Sequence, residues 1–218
     1  MNHRMRLSNS WAIWCLTWIA FVSTLHGKQD SLDSVGAYQR RGIEHFSESR
    51  FESAIEDFDA AIALDPRLEA RHWQRGIAYY YAGEFQKGVD QFELHQTVNN
   101  QDVENAAWHF ICKTRVDGIE AAREALIPIG FDSRVPMGEI WKLFAGTGTV
   151  EDVLDAAENG SRYRRQQLCY AHLYLGLYFE ALNDKKLATQ HIELAATTYA
   201  MDNYMGMVAQ VHLKYLNR

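Results

Sequence analysis

One pattern of packing residues runs through residues 37–102 twice, at an interval of 34 residues. Gly42 recurs as Gly76, Phe58 as Phe92, and the Ile43/Ala54 frame as Ile77/Gly88. A self-match of this length is the size of one helix–turn–helix unit, which cannot bury its apolar face alone and is stable only when stacked on a neighbour. The first copy reads Tyr38, Gly42, Phe46, Ala54, Phe58, Ala61, Pro66. The second reads Trp73, Gly76, Tyr79, Gly83, Phe85, Phe92, with Gly88, His95 and Asn100 where the pattern would place Ala, Ala and Pro. Every one of these positions has a packing role. Gly42 and Gly76 permit two helices to cross closely, where a side chain would overpack the contact.

The same spacing places helices over residues 38–47, 51–64, 68–81 and 85–98. A third, degenerate unit is expected from Val103, because residues 106–112 are helical in period but lack a glycine at the crossing. Gly118 should open its short second helix, to residue 126. Residues 127–161 then break the frame, with short helices expected at 137–145 and 150–158. Pro136 suits a first turn, Thr149 an N-cap, and Asn159-Gly160 a stop. From Arg162 the pattern returns as Leu175, Gly176, Phe179, Asn183, Ala188, Ile192 and Ala195. Residues 202–216 read as a capping helix for the open end of the stack.

These residues resemble the tetratricopeptide repeat (TPR). The order of parts resembles the periplasmic NlpI-type TPR lipoproteins: two good repeats, a degenerate pair after Trp108, an insertion ending in a helix like residues 140–146, a last repeat around residues 172–184, and a cap. The resemblance implies an all-α helical-repeat solenoid. Its packing positions are Gly42, Ala54, Phe58, Ala61, Pro66, Gly76, Tyr79, Phe92, Gly176, Ala188 and Ala195. It also implies an adaptor without enzymatic activity, dimeric in relatives, that brings cell-wall hydrolases to an envelope protease. In such solenoids the first helix of each unit lines the concave face. That places Phe46, Trp73, Ile77, Tyr80 and Tyr81 in an aromatic groove, the candidate partner-binding surface. The alternative is that the insertion or the C-terminal helices fill this groove from within. A regulatory subunit of an envelope enzyme and a structural envelope protein are the other functional readings.

The organisation expected is therefore a signal segment at 1–27, a lead-in at 28–36, two TPR units at 37–102, a degenerate pair and insertion at 103–161, and a last TPR with its cap at 162–218. Arg4 and Arg6 precede an apolar run over residues 11–22, the order of a secretory signal peptide. An uncleaved anchor over residues 7–25 is the alternative. In either case the repeats lie outside the cytoplasm. Trp14 before Cys15 is too large for a lipoprotein acylation site. Cys112 and Cys169 read as buried free thiols rather than a pair. The net charge of −6 disfavours a nucleic-acid partner.

A search for chemistry yields no nucleophile elbow, zinc helix or phosphate loop. Gly146-Thr147-Gly148 lacks the lysine of a phosphate loop and reads as a turn. His45, His72, His95, His109, His172, His191 and His212 are scattered and read as partly exposed imidazoles, so no metal or cofactor is expected. The export reading has a direct check. N-terminal sequencing of the mature protein should place its first residue between Thr24 and Gln29. Met1 on cytoplasmic protein would contradict it.

Overall fold

The computed structural model describes residues 34–159 and 162–217. The signal segment, the anchor alternative, Cys15, most of the lead-in and Gly160 lie outside these residues. Among the described residues the protein is all-helical, with no strand. No described helix is long and apolar enough to cross a membrane.

The first hairpin pairs α1 (Val35–Ser47) with α2 (Phe51–Leu64). Ser34 caps α1 by accepting from the Ala37 amide at 3.2 Å. Asp65 ends α2 and opens a 3-10 turn, Pro66–Arg71. The second hairpin is α3 (Trp73–Tyr81) and α4 (Phe85–Gln96). Sequence periodicity runs the first of these as one helix from residue 68. In the structure His72 breaks it, leaving helical geometry while its ring packs 4.6 Å from Phe58. Then follow α5 (Val103–Asp117), α6 (Ile119–Glu124), α7 (Met137–Phe144), α8 (Val150–Glu158), α9 (Arg164–Ala181), α10 (Lys185–Ala196) and α11 (Tyr204–Leu216). Gly118, at φ +88°, stops α5, a backbone setting that L side chains rarely adopt. Thr149 and Asp152 form a reciprocal capping box on α8.

Three hairpins are built alike. A Cβ on Gly42 would lie 2.5 Å from Phe58, one on Gly76 2.7 Å from Phe92, and one on Gly176 2.5 Å from Ile192. At each crossing the glycine of one helix thus receives a large apolar side chain of the next. The turn between the two helices holds Ser49, Gly83 or Asn183, all three in the left-handed region. A polar contact recurs as well. Arg41 donates from Nε to Asp57 at 2.8 Å, and 34 residues later Arg75 donates from Nε to Gln91 at 2.8 Å. Gly88 has its own cause: a Cβ there would lie 2.7 Å from the Cys112 sulfur, so the larger sulfur on α5 requires the smaller residue on α4. His95 is retained by a 2.9 Å contact from Nδ1 to the Ala70 carbonyl.

The last helix packs chiefly on the last hairpin, as a cap would, and reaches beyond it. α11 packs on α10, and it also reaches α9 and returns to α1. Tyr204 stacks on Phe46 at 5.7 Å and meets Trp73 edge-on at 4.9 Å. Tyr215 meets Tyr81 at 5.4 Å. The helix therefore occupies the inner side of the first two hairpins and joins the end of the chain to its beginning. Cys112 and Cys169 are free and buried. Burial pushes both thiols up, Cys169 to about 11, so neither is a reactive thiolate.

Overpacking the crossings should be costly. Gly42→Leu and Gly76→Leu should each lower stability by about 1–3 kcal/mol or more. Phe58→Ala, which empties a fully buried site, should cost about 3–5 kcal/mol. Urea denaturation of the three variants checks this. Midpoints equal to the parent's would mean that these residues do not hold the repeats together.

Candidate binding cavity at the inner face

The five aromatic and aliphatic residues expected to form an open groove have two different fates. Phe46, Ile77, Tyr80 and Tyr81 are buried. The expectation that they present a partner surface is corrected by α11. Phe46 lies under Tyr204, and Tyr81 is enclosed by His212 and Tyr215. Tyr80 turns toward Trp108 and Phe85, and burial raises its hydroxyl pKa well above the ordinary range. Trp73 alone of the five remains partly exposed.

What is left of the groove is a cavity of about 300 Å³ between the second hairpin, α5, α9 and α11, with Trp73 and Ile77 on its wall. This is at the small end of the range of ligand sites. Trp108 on α5, Tyr170 on α9 and Tyr204 on α11 extend the aromatic lining. The remaining wall is polar and is built from the start of α5 and from the insertion. Asp102 caps α5 by accepting from the Glu104 amide at 3.1 Å. Arg134, on the segment before α7, reaches across to it. Its guanidinium donates to Glu104, to Asp102 at 2.5 Å, and to Asp132 at 2.6 and 2.9 Å. Three carboxyl groups thus converge on one guanidinium.

Glu104 is strongly perturbed. Burial drives its pKa up to about 7, against the opposing pull of Arg134 and a 2.7 Å hydrogen bond from the Tyr174 hydroxyl. Three further polar atoms of the lining residues are left without a partner, one of them the Tyr204 hydroxyl. Trp108 Nε1 and Asn105 Oδ1 are inaccessible to bulk water and make no hydrogen bond, and their residues are 1% and 3% exposed. A buried polar group without a partner costs about 1–3 kcal/mol, and it persists in a fold where something else satisfies it.

The histidines depart from expectation too. His72, His95, His109, His172 and His212 are buried rather than partly exposed. His212 is the most embedded, with Nδ1 2.9 Å from the Tyr81 hydroxyl and Nε2 3.0 Å from Glu180. His172 lies 2.9 Å from His191 through the two Nδ1 atoms, and burial lowers its pKa to about 4. Among the described residues no group of three His, Cys, Asp or Glu side chains is arranged to hold a metal ion.

The repeat pattern points to Trp73 and Ile77 at this site and misses the polar half. Glu104 reads as an ordinary first-turn acid, and Arg134 lies in a segment with no repeat signal. No family model matches the chain.

The buried carboxyl makes stability depend on pH with a definite sign. The Glu104 pKa is raised in the folded state, so its contribution is fully present below the unfolded value of 4.5 and is lost as pH rises through about 7. Urea midpoints of the parent should therefore fall between pH 5 and pH 8 relative to those of Glu104→Gln, which has no proton to lose. Parallel pH profiles for the two proteins would show that Glu104 is not in this environment.

Proposed function

We propose that this chain is an exported, non-enzymatic adaptor of the TPR type, which holds a segment of a protein partner at the inner face of its helical repeats. The observation that carries this reading is the triplicated crossing, Gly42/Phe58, Gly76/Phe92 and Gly176/Ile192, which makes a stack of hairpins with one lined inner side. Repeat stacks of this kind serve as binding surfaces, and the cavity bordered by Trp73, Trp108 and Tyr170 is the part of this inner side that α11 leaves unfilled. In the cell envelope, the protease or cell-wall hydrolase partners of the NlpI-type proteins are the natural candidates.

Trp73 is the residue on which this reading is tested. A photoreactive residue placed there should give a discrete adduct with one protein in intact cells. Trp73→Ala should then weaken capture of that protein roughly thirtyfold or more, the effect of losing an interface residue worth about 2 kcal/mol. Helical content should be unchanged, whereas Phe58→Ala should lower thermal stability first and binding only through it. Unfolding by Trp73→Ala as severe as that by Phe58→Ala would make Trp73 a core residue and overturn the proposal.

A further inference from the structure

The polar half of the cavity has a composition that the scaffold does not require. Asp102, Glu104 and Asp132 share one cation, Arg134, and every nitrogen of that guanidinium is engaged with them. Arg134 is therefore committed to carboxylates rather than to an anionic ligand, and the cluster still carries more acid than base. Glu104 keeps 15% side-chain exposure and borders the cavity. Asn105 adds an unpartnered acceptor, Oδ1. His95 contributes another. Its Nδ1 donates to the Ala70 carbonyl, which can only accept, and the neutral ring then offers Nε2 as an acceptor beside the same space. Against these acceptors stand two unpartnered donors, the Trp108 indole N–H and the Tyr204 hydroxyl. Glu104 and Trp108 are four residues apart on α5 and so share one helix face.

A ligand complementary to this arrangement carries a positive charge with several N–H donors, and one acceptor close beside them. Trp73, Tyr170 and Tyr204 supply ring surface that favours a cation or packs an apolar side chain. We propose that the cavity binds a primary ammonium group with an adjacent carbonyl, the chemistry of the free amino terminus of a polypeptide. The ammonium sits between Glu104, Asn105 and His95, the first carbonyl accepts from Trp108, and the first side chain lies on the aromatic wall. This deepens the adaptor reading and rests on it. Binding also changes the protonation of Glu104. That group faces Arg134 and Asp132 from the insertion, Asp102 from its own turn, Tyr170 and Tyr174 from α9, and His95 and Tyr204 across the cavity. An incoming cation favours its ionised form, so affinity rises with pH through about 7.

The test uses the folded full-length mature protein and three probes: the tripeptide Leu-Ala-Ala amide with a free amino terminus, its N-acetyl counterpart, and leucinamide. Binding is read by calorimetry and by the indole N–H resonance of Trp108, assigned by its loss in Trp108→Phe. The free tripeptide should move that resonance and bind at least about tenfold more tightly than the acetylated one. Glu104→Gln should remove most of this preference and flatten the dependence of affinity on pH between 6 and 8. Trp108→Phe, which keeps the packing and loses the donor, should weaken the free tripeptide about fivefold. This second variant tests the same assignment should Glu104→Gln fail to fold. Leucinamide equal to the tripeptide would support a free amine as the natural ligand, and a tighter tripeptide would support a polypeptide terminus. Equal binding of the acetylated and free tripeptides would overturn the ammonium assignment while leaving a polypeptide site intact. No response to any probe would overturn the ligand assignment, while Trp73 crosslinking in cells would separately decide the adaptor reading.

Discussion

The closed shape of this molecule depends on one buried polar chain, Tyr81 to His212 to Glu180. His212 is fully buried, with the Tyr81 hydroxyl 2.9 Å from one ring nitrogen and Glu180 3.0 Å from the other. These residues come from α3, α11 and α9, so the chain fixes the last helix against both the second hairpin and the last repeat. The Tyr81 hydroxyl is hydrogen-bonded to the ring, whereas Nε2 and Glu180 Oε2 lie close together without hydrogen-bond geometry. Burial pushes the Glu180 carboxyl up, but the neighbouring His212, Tyr80 and Arg115 outweigh it and hold the group below the usual carboxylate range. Removing the Tyr81 hydroxyl would strand a second nitrogen of the buried ring, so this hydrogen bond helps to specify where the helix lies.

The position of α11 decides what the inner face can do. A stack of hairpins alone would present a continuous aromatic stripe from Phe46 to Tyr81. With α11 inserted, that stripe becomes core, and Tyr204 seals its near end against Phe46 and Trp73. The surviving cavity is bordered by this helix through Tyr204 and Met205 but is not filled by it. Its polar wall exists because the insertion brings Arg134 back to the start of α5, where Asp102 and Glu104 are already held by the helix cap. An apolar stripe is thereby replaced by a small cavity with a charged wall and three unpartnered polar atoms.

The hairpins were legible because their signal is local. Gly42 and Phe58, or Gly76 and Phe92, lie on adjacent helices of one unit, and close packing leaves little choice of partner. Even the departures became readable once the neighbour was known, as with Gly88 beneath the Cys112 sulfur. The site was legible only in part. Trp73 and Ile77 followed from the repeat, but Glu104 meets Arg134 across 30 residues and Tyr174 across 70. Nothing in the local pattern around Glu104 separates it from any acid in the first turn of a helix, where it would be favoured by the helix dipole alone.

The sequence by itself determined the all-helical class, the hairpin unit, most helix boundaries and the crossing residues, because periodicity, caps and close contacts act within a few turns of chain. The tertiary structure alone decided that α11, besides covering the last hairpin, also enters the inner side. The face of that helix bearing Met205, Val208, Val211 and His212 is compatible, as an amphipathic pattern, with covering the hairpin alone or with reaching further. The choice between them rests on His212 finding Tyr81 and Glu180 together, a coincidence of three helices that no stretch of sequence contains.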